Sequence, residues 1–285
     1  MTSFADTSRR LAIFAALLAV TASWSFAHPK PTLRDSAVRA FESYVAKVQA
    51  ADDRNLGHGN FLWLDVPDRQ GRAEPFSRLR VGEVLVRRNN PENQKIEVPG
   101  GMIHDWQGMV FIRGAKIDDV LRILRDYDHH SIYYAPDVER SKIESREGDH
   151  YRIFLRFRRH NIITVVLNTE HDVSYYRDSA TRAHSRSSAV HIAEVENPGR
   201  NEKEKKQGED NGFLWRMETW WHMEEKDGGV YLQNEVVTLT RDVPPGLGWA
   251  VEPFITSIPK ESLEFTLTAT RRAVLSKLQS NNNRN

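Results

Sequence analysis

The chain of 285 residues carries 40 Lys and Arg against 39 Asp and Glu, a formal charge of +1, so no general electrostatic pull toward nucleic acid exists. With 39% hydrophobic and 28% charged residues it has the make-up of a globular protein, one large domain or two small ones. The complete lack of cysteine excludes disulfides, a thiolate nucleophile, a thiolate metal site and anchoring through a lipidated cysteine.

Arg9 and Arg10 precede an apolar run over residues 11–22, and Ser25 and Ala27 place small residues where a signal peptidase reads them. The run falls short of the ~20 apolar residues a bilayer span needs. Residues 1–27 therefore read as a signal peptide cleaved after Ala27. The expectation is an exported protein, periplasmic or secreted, with no stable membrane span after cleavage. Ser8-Arg9-Arg10-Leu11-Ala12 also resembles a twin-arginine signal, although Ala12 stands where a bulkier apolar residue fits that route better.

Pro29 and Pro31 mark residues 28–33 as a linker. From Asp35 and Ser36 the spacing of Val38, Phe41, Val45 and Val48 predicts a helix to residues 52–55. Its apolar stripe docks on the main domain or, alternatively, on a partner protein. Residues 61–66 and 81–88 read as strands joined by polar loops, residues 89–93 as a turn, and Pro99-Gly100-Gly101 as a break. The main domain boundary is placed there, leaving residues 28–100 as an N-terminal extension of one helix and short strands.

Beyond the break, residues 102–113 alternate as a strand, and residues 115–125 form a helix with Ile117, Val120, Leu121 and Leu124 on one face. The Tyr- and His-rich residues 126–136 predict a short helix or loop. Strand patterns follow over 138–144, 150–158, 162–174 and 182–196. Residues 199–212 carry no large apolar side chain and read as a solvated loop. Two long strands, 213–224 and 230–241, flank Asp227-Gly228-Gly229, and an amphipathic helix opening at Pro259 carries Leu263, Leu267, Val274 and Leu278. Residues 279–285 are expected to be a disordered tail.

Alternation then assigns faces. Ile153, Leu155 and Phe157 oppose Arg152, Arg156 and Arg158, which with Arg159 are expected to form a solvated face. Ile163, Val165 and Leu167 oppose Thr164 and Asn168. Phe213, Trp215, Met217, Thr219, Trp221 and Met223 share one parity against Glu218, His222 and Glu224. Aromatic rings and Met suit an adaptable apolar pocket as well as an ordinary core. The second long strand is ambiguous, since Val230, Leu232 and Val236 favour one face while Tyr231, Val237 and Leu239 share the other with Glu235.

The order strand, two helices, a run of antiparallel strands and a long C-terminal helix resembles the helix-grip fold of the START-like (SRPBCC) superfamily over residues 102–278. Three stretches carry the likeness: residues 104–108 (HDWQG), 132–138 (IYYAPDV), and 243–249 (VPPGLGW) through 258–263 (IPKESL). The resemblance implies an α+β domain, a curved antiparallel sheet wrapped around its last helix. It implies an apolar cavity between the two, holding a lipid or other apolar molecule. The candidate ligand-binding residues are Leu155, Phe157, Val165, Trp215, Met217, Trp221, Leu263 and Leu267.

Enzymatic readings find less. There is no G-x-S-x-G elbow, phosphate-binding loop or dinucleotide Gly pattern, and no H-E-x-x-H. His129 and His130 point apart and His171-Asp172 stands alone, so no metal or other cofactor is called for. Acid–base work of the cyclase or dehydratase kind would need a group in the cavity. Glu235 and His222 are the weak candidates, with Asp105 and Tyr127 behind them. Glu235 is expected at the sheet edge or surface; turned inward, it would need a partner such as an Arg. The functional expectation is an exported protein binding an apolar small molecule or lipid. The alternatives are an enzyme using the same cavity and an interaction module with a closed core.

Overall fold

The computed structural model describes residues 33–66, 73–89, 96–160, 164–206, 208–242 and 258–283. The signal-peptide reading, most of the linker, the turn at 90–93, the 243–249 motif and the last two residues lie outside these.

Helix α1 (Asp35–Gly57) is followed by a single 3-10 turn (Trp63–Asp65), helix α2 (Ala73–Arg80) and strands β1 (Leu85–Arg88), β2 (Ile96–Val98) and β3 (Gly101–Arg113). Helix α3 (Ile117–Leu124), a 3-10 turn (Tyr127–His129) and the one-turn α4 (His130–Tyr133) come next. Strands β4 (Val138–Glu147), β5 (His150–His160), β6 (Thr164–Arg177), β7 (Arg182–Glu196), β8 (Lys203–Glu204), β9 (Arg216–Lys226) and β10 (Gly229–Arg241) precede helix α5 (Ile258–Asn282). The strands form one ten-stranded antiparallel sheet, β1-β3-β10-β9-β7-β6-β5-β4, with β2 beside β3 and β8 beside β7. With α5 lying on it, this is the α+β helix-grip architecture.

Local chemistry explains the joints. Asp227 and Gly228 have φ of 55° and 75°, the left-handed pair that a two-residue hairpin between β9 and β10 requires. At α3 the Asp119 carboxylate accepts the Lys116 amide at 3.0 Å, and Ile117, Val120, Leu121 and Leu124 are buried as their spacing predicts. Leu263 and Leu267 of α5 cover Gly108 of β3, where a Cβ would come 2.4 Å from Leu267 Cδ1. That approach is how the last helix reaches the sheet.

The sheet is covered on both faces. One carries α3 and α5, packed with Val110, Ile112, Met223, Val230 and Leu232. On the other, Ala37 and Phe41 of α1 meet Ile103, Trp220, Val237 and Leu239, while the 3-10 turn and α2 bury Met109, Phe111 and Tyr231. β3 is consequently buried from Gly101 through Ile112, and β10 nearly throughout. This double burial is why the parity of residues 230–241 was ambiguous. β1 and β2, both N-terminal to the break at 99–101, are hydrogen-bonded to β3 and so belong to the same sheet.

Several expectations are corrected. Residues 61–66 hold a 3-10 turn in place of a strand, because the Asp65 carboxylate accepts the Leu62 amide at 2.8 Å and curls the chain. Residues 73–80 are a helix where a polar loop was expected, held by Leu79 and Phe76 beneath a charged exterior. Of residues 81–88 only Leu85–Arg88 are strand; Val81 is 80% exposed in a turn. Arg156 is no part of a solvated face: it is 3% exposed, bonded to Glu139 at 3.0 Å and to both carboxylate oxygens of Glu202 at 2.8 Å. Glu202 belongs to the charged loop, which is thereby latched to the sheet and adds β8. The terminal helix runs past Leu278 to Asn282, over ground expected to be disordered.

Candidate functional site

Between the sheet and α5 lies a cavity of about 290 Å³. Strands β4 to β6 build its largest wall from Val138, Ile153, Leu155, Phe157, Val165 and Leu167. Met217 and Trp221 of β9, Val236 of β10 and Leu263 and Phe265 of α5 complete an apolar lining. Side chains from seven strands and the helix bound one space, so the sheet curves around it. Six of the expected binding residues, Leu155, Phe157, Val165, Met217, Trp221 and Leu263, line the cavity.

Two do not. Trp215 precedes the first residue of β9, and its amide bonds to Leu239 O at 2.8 Å while its indole N–H donates to Asp210. Strand parity does not reach it, and its ring packs with Trp220 and Phe41 on the opposite face. Leu267 faces the sheet but is fully buried against Gly108, one turn beyond Leu263.

The candidate acid–base groups are on the far side of the sheet. Glu235 is buried, neither at an edge nor in the cavity, and accepts from Asn89 at 2.8 Å and Gln107 at 2.6 Å. Amides take the place of the expected Arg. Asp105 is buried beside it and accepts from Tyr44 of α1 at 2.8 Å. Burial raises the pKa of both, and the Glu235 charge raises Asp105 further. His222 lies beneath α1, its Nε2 3.0 Å from Asp52. Its parity, opposite to Met217 and Trp221, already pointed away from the cavity.

The cavity has its own polar groups, most of them missed. At one end Tyr127, which was foreseen, shares a 2.7 Å hydrogen bond with Tyr175, and Tyr175 donates to Leu124 O at 3.0 Å. Tyr134 pairs with Thr270 of α5 at 2.9 Å. Burial raises the pKa of all three, Tyr134 to about 12. His130 and His171 also line the space, and burial lowers each to about 4, so both are neutral at pH 7. The charged lining residues are Asp137 and Arg159, paired at 2.8 Å, with Arg159 also donating to Ser262 of α5 at 2.6 Å. Among the described residues the cavity therefore carries no uncompensated charge, and no group of His, Asp and Glu is arranged to hold a metal ion. No helix among the described residues is long and apolar enough to cross a membrane.

No family model and no curated protein matches the chain. Solved structures similar to it include a STAR-related lipid transfer protein from Xanthomonas axonopodis, 17% identical over 64% of this chain and 97% of that one, with a TM-score of 0.44. Human STARD10 is 10% identical over 76% of this chain and 84% of its own, at 0.43. The Zhui aromatase/cyclase from a Streptomyces species is 11% identical over 62% and 96%, at 0.42. At such identities the likeness is one of fold and says nothing of a ligand.

Proposed function

We propose that the chain, once freed of residues 1–27, is an exported carrier that holds one apolar molecule between its sheet and α5. The observation that supports this is the cavity of about 290 Å³, lined by Leu155, Phe157, Val165, Met217, Trp221 and Leu263. A pocket near 300 Å³ with apolar and aromatic walls and a few polar groups is the usual form of a small-molecule site. The alternative, acid–base chemistry by Glu235 or His222, lacks support, because neither side chain borders the cavity.

The test is native mass spectrometry of the mature protein, followed by solvent extraction and lipid analysis. A stoichiometric apolar species that leaves on extraction is the expected result. A protein that is empty and takes up no fluorescent apolar probe would remove this reading. Signal cleavage is checked by the same mass, which should begin at His28.

A further inference from the structure

The cavity wall contains a polar patch centred on one apolar residue. Val236 of β10 pairs directly with Thr219 of β9 on one side and with Trp106 of β3 on the other. Asn234 and Thr238 lie two residues away along β10, so all four share its face. All four line the cavity. All four are buried.

Two of them carry unmet hydrogen-bonding groups. Trp106 Nε1 and Thr238 Oγ1 are buried with no partner among the described residues. The Asn234 amide donates to Trp220 O at 3.1 Å, but its own oxygen accepts nothing among the described residues. Thr219 adds a hydroxyl to the same lining. By contrast Thr240, next along β10, is satisfied by His104 at 3.0 Å and by Arg241 O. Buried polar groups are paired as a rule. Clustered here, they call for a partner from within the cavity.

The donor and acceptor types define that partner. Trp106 can only donate, the Asn234 oxygen can only accept, and the two threonines do either. A hydroxyl group both accepts and donates, so it answers the whole patch. A carboxylate could only accept, and no free cation among the described residues borders the cavity, Arg159 being engaged with Asp137 and Ser262. Resting on the cavity reading above, we propose that the ligand is a neutral apolar alcohol, its hydroxyl held at the patch around Val236 by Trp106, Thr219, Asn234 and Thr238. Its hydrocarbon part lies against Leu155, Phe157 and Val165.

The experiment titrates the full mature chain with n-octane, 1-octanol and octanoate, reading the fluorescence of Trp106 and Trp221. Octanol is expected to bind about tenfold tighter than octane, the worth of one or two buried hydrogen bonds. It should also outbind octanoate at pH 7. In the Thr219→Val/Thr238→Val variant the alcohol's advantage over octane should vanish. Trp106→Phe, measured by calorimetry, gives a second reading should the double variant fold poorly. Equal binding of octane and octanol overturns the patch and leaves the apolar carrier standing. Tightest binding of octanoate overturns it too and points to Arg159 leaving Asp137. Binding of none of the three removes the carrier reading together with the patch.

Discussion

Asp52 of α1 and His222 of β9 are 170 positions apart in sequence and 3.0 Å apart in the fold, both under the cover that residues 33–57 lay over the sheet. Burial works against the Asp52 carboxylate, yet the hydrogen bond and charge of His222, aided by Arg186, hold its pKa below the usual range. His222 also meets the Phe61 ring edge-on at 5.3 Å. The pair thus ties the N-terminal helix to the face of the sheet that the cavity does not use.

His222→Ala should therefore destabilise the protein by about 2 kcal/mol, through a lost buried contact and a carboxylate left without its partner. Affinity for an apolar probe should be unchanged under conditions where both proteins are folded. Urea denaturation and probe titration together check this; weaker probe binding with unaltered stability would place His222 in the site after all.

Stability should fall as pH rises from about 4.5 to about 7. Burial raises Glu218 to about 7, against which the 2.6 Å hydrogen bond from Ser188 Oγ works only in part. A carboxyl whose folded pKa is raised contributes stability fully present below its unfolded value of 4.5 and lost as pH climbs through about 7. Raised Asp105 and Glu235 act in the same direction. The urea midpoint should drop between pH 5 and pH 8 by the equivalent of ~2 kcal/mol, and Glu218→Gln should flatten part of that slope. A wild-type midpoint that is level over this range would contradict the assignment.

Gly108→Ala should loosen α5. The added methyl would meet Leu267 Cδ1 at 2.4 Å and Leu263 at 3.1 Å, in a core where Leu267 has no exposure. Overpacking of this kind costs ~1–3 kcal/mol. The check is a lower melting temperature with faster amide exchange in residues 263–274, and unchanged exchange would mean that the helix yields without strain.

Val165→Trp should abolish binding without unfolding the chain. The indole would enter the space bounded by Leu155, Phe157 and Met217, filling volume that is empty of protein atoms. Apolar probe affinity should fall at least about tenfold, equivalent to 1.4 kcal/mol, while the melting temperature holds or rises. Undiminished affinity would place the ligand elsewhere.

Much of the domain was legible because its signals are local. The hairpin turn at Asp227-Gly228, the stripe Ile117-Val120-Leu121-Leu124 and the period-two runs of Leu155 and Phe157, and of Met217 and Trp221, depend only on neighbours in the chain. These identified the strands from β3 onward apart from β8, the last helix and six residues of the cavity wall. Trp215 was misplaced because it precedes the strand whose parity was read, whereas Glu235 and Arg156 were misplaced for another physical reason. Alternation shows that a strand has two faces but cannot show what covers each, and here α1, the 3-10 turn, α2 and the latched loop bury the face that a half-solvated sheet would leave wet. Helices and strands were set by the order of apolar and polar residues in the sequence itself. Which buried polar groups border the cavity and which lie under the N-terminal cover was decided only when distant residues, such as Gln49 and Trp220, 171 positions apart, were brought into contact.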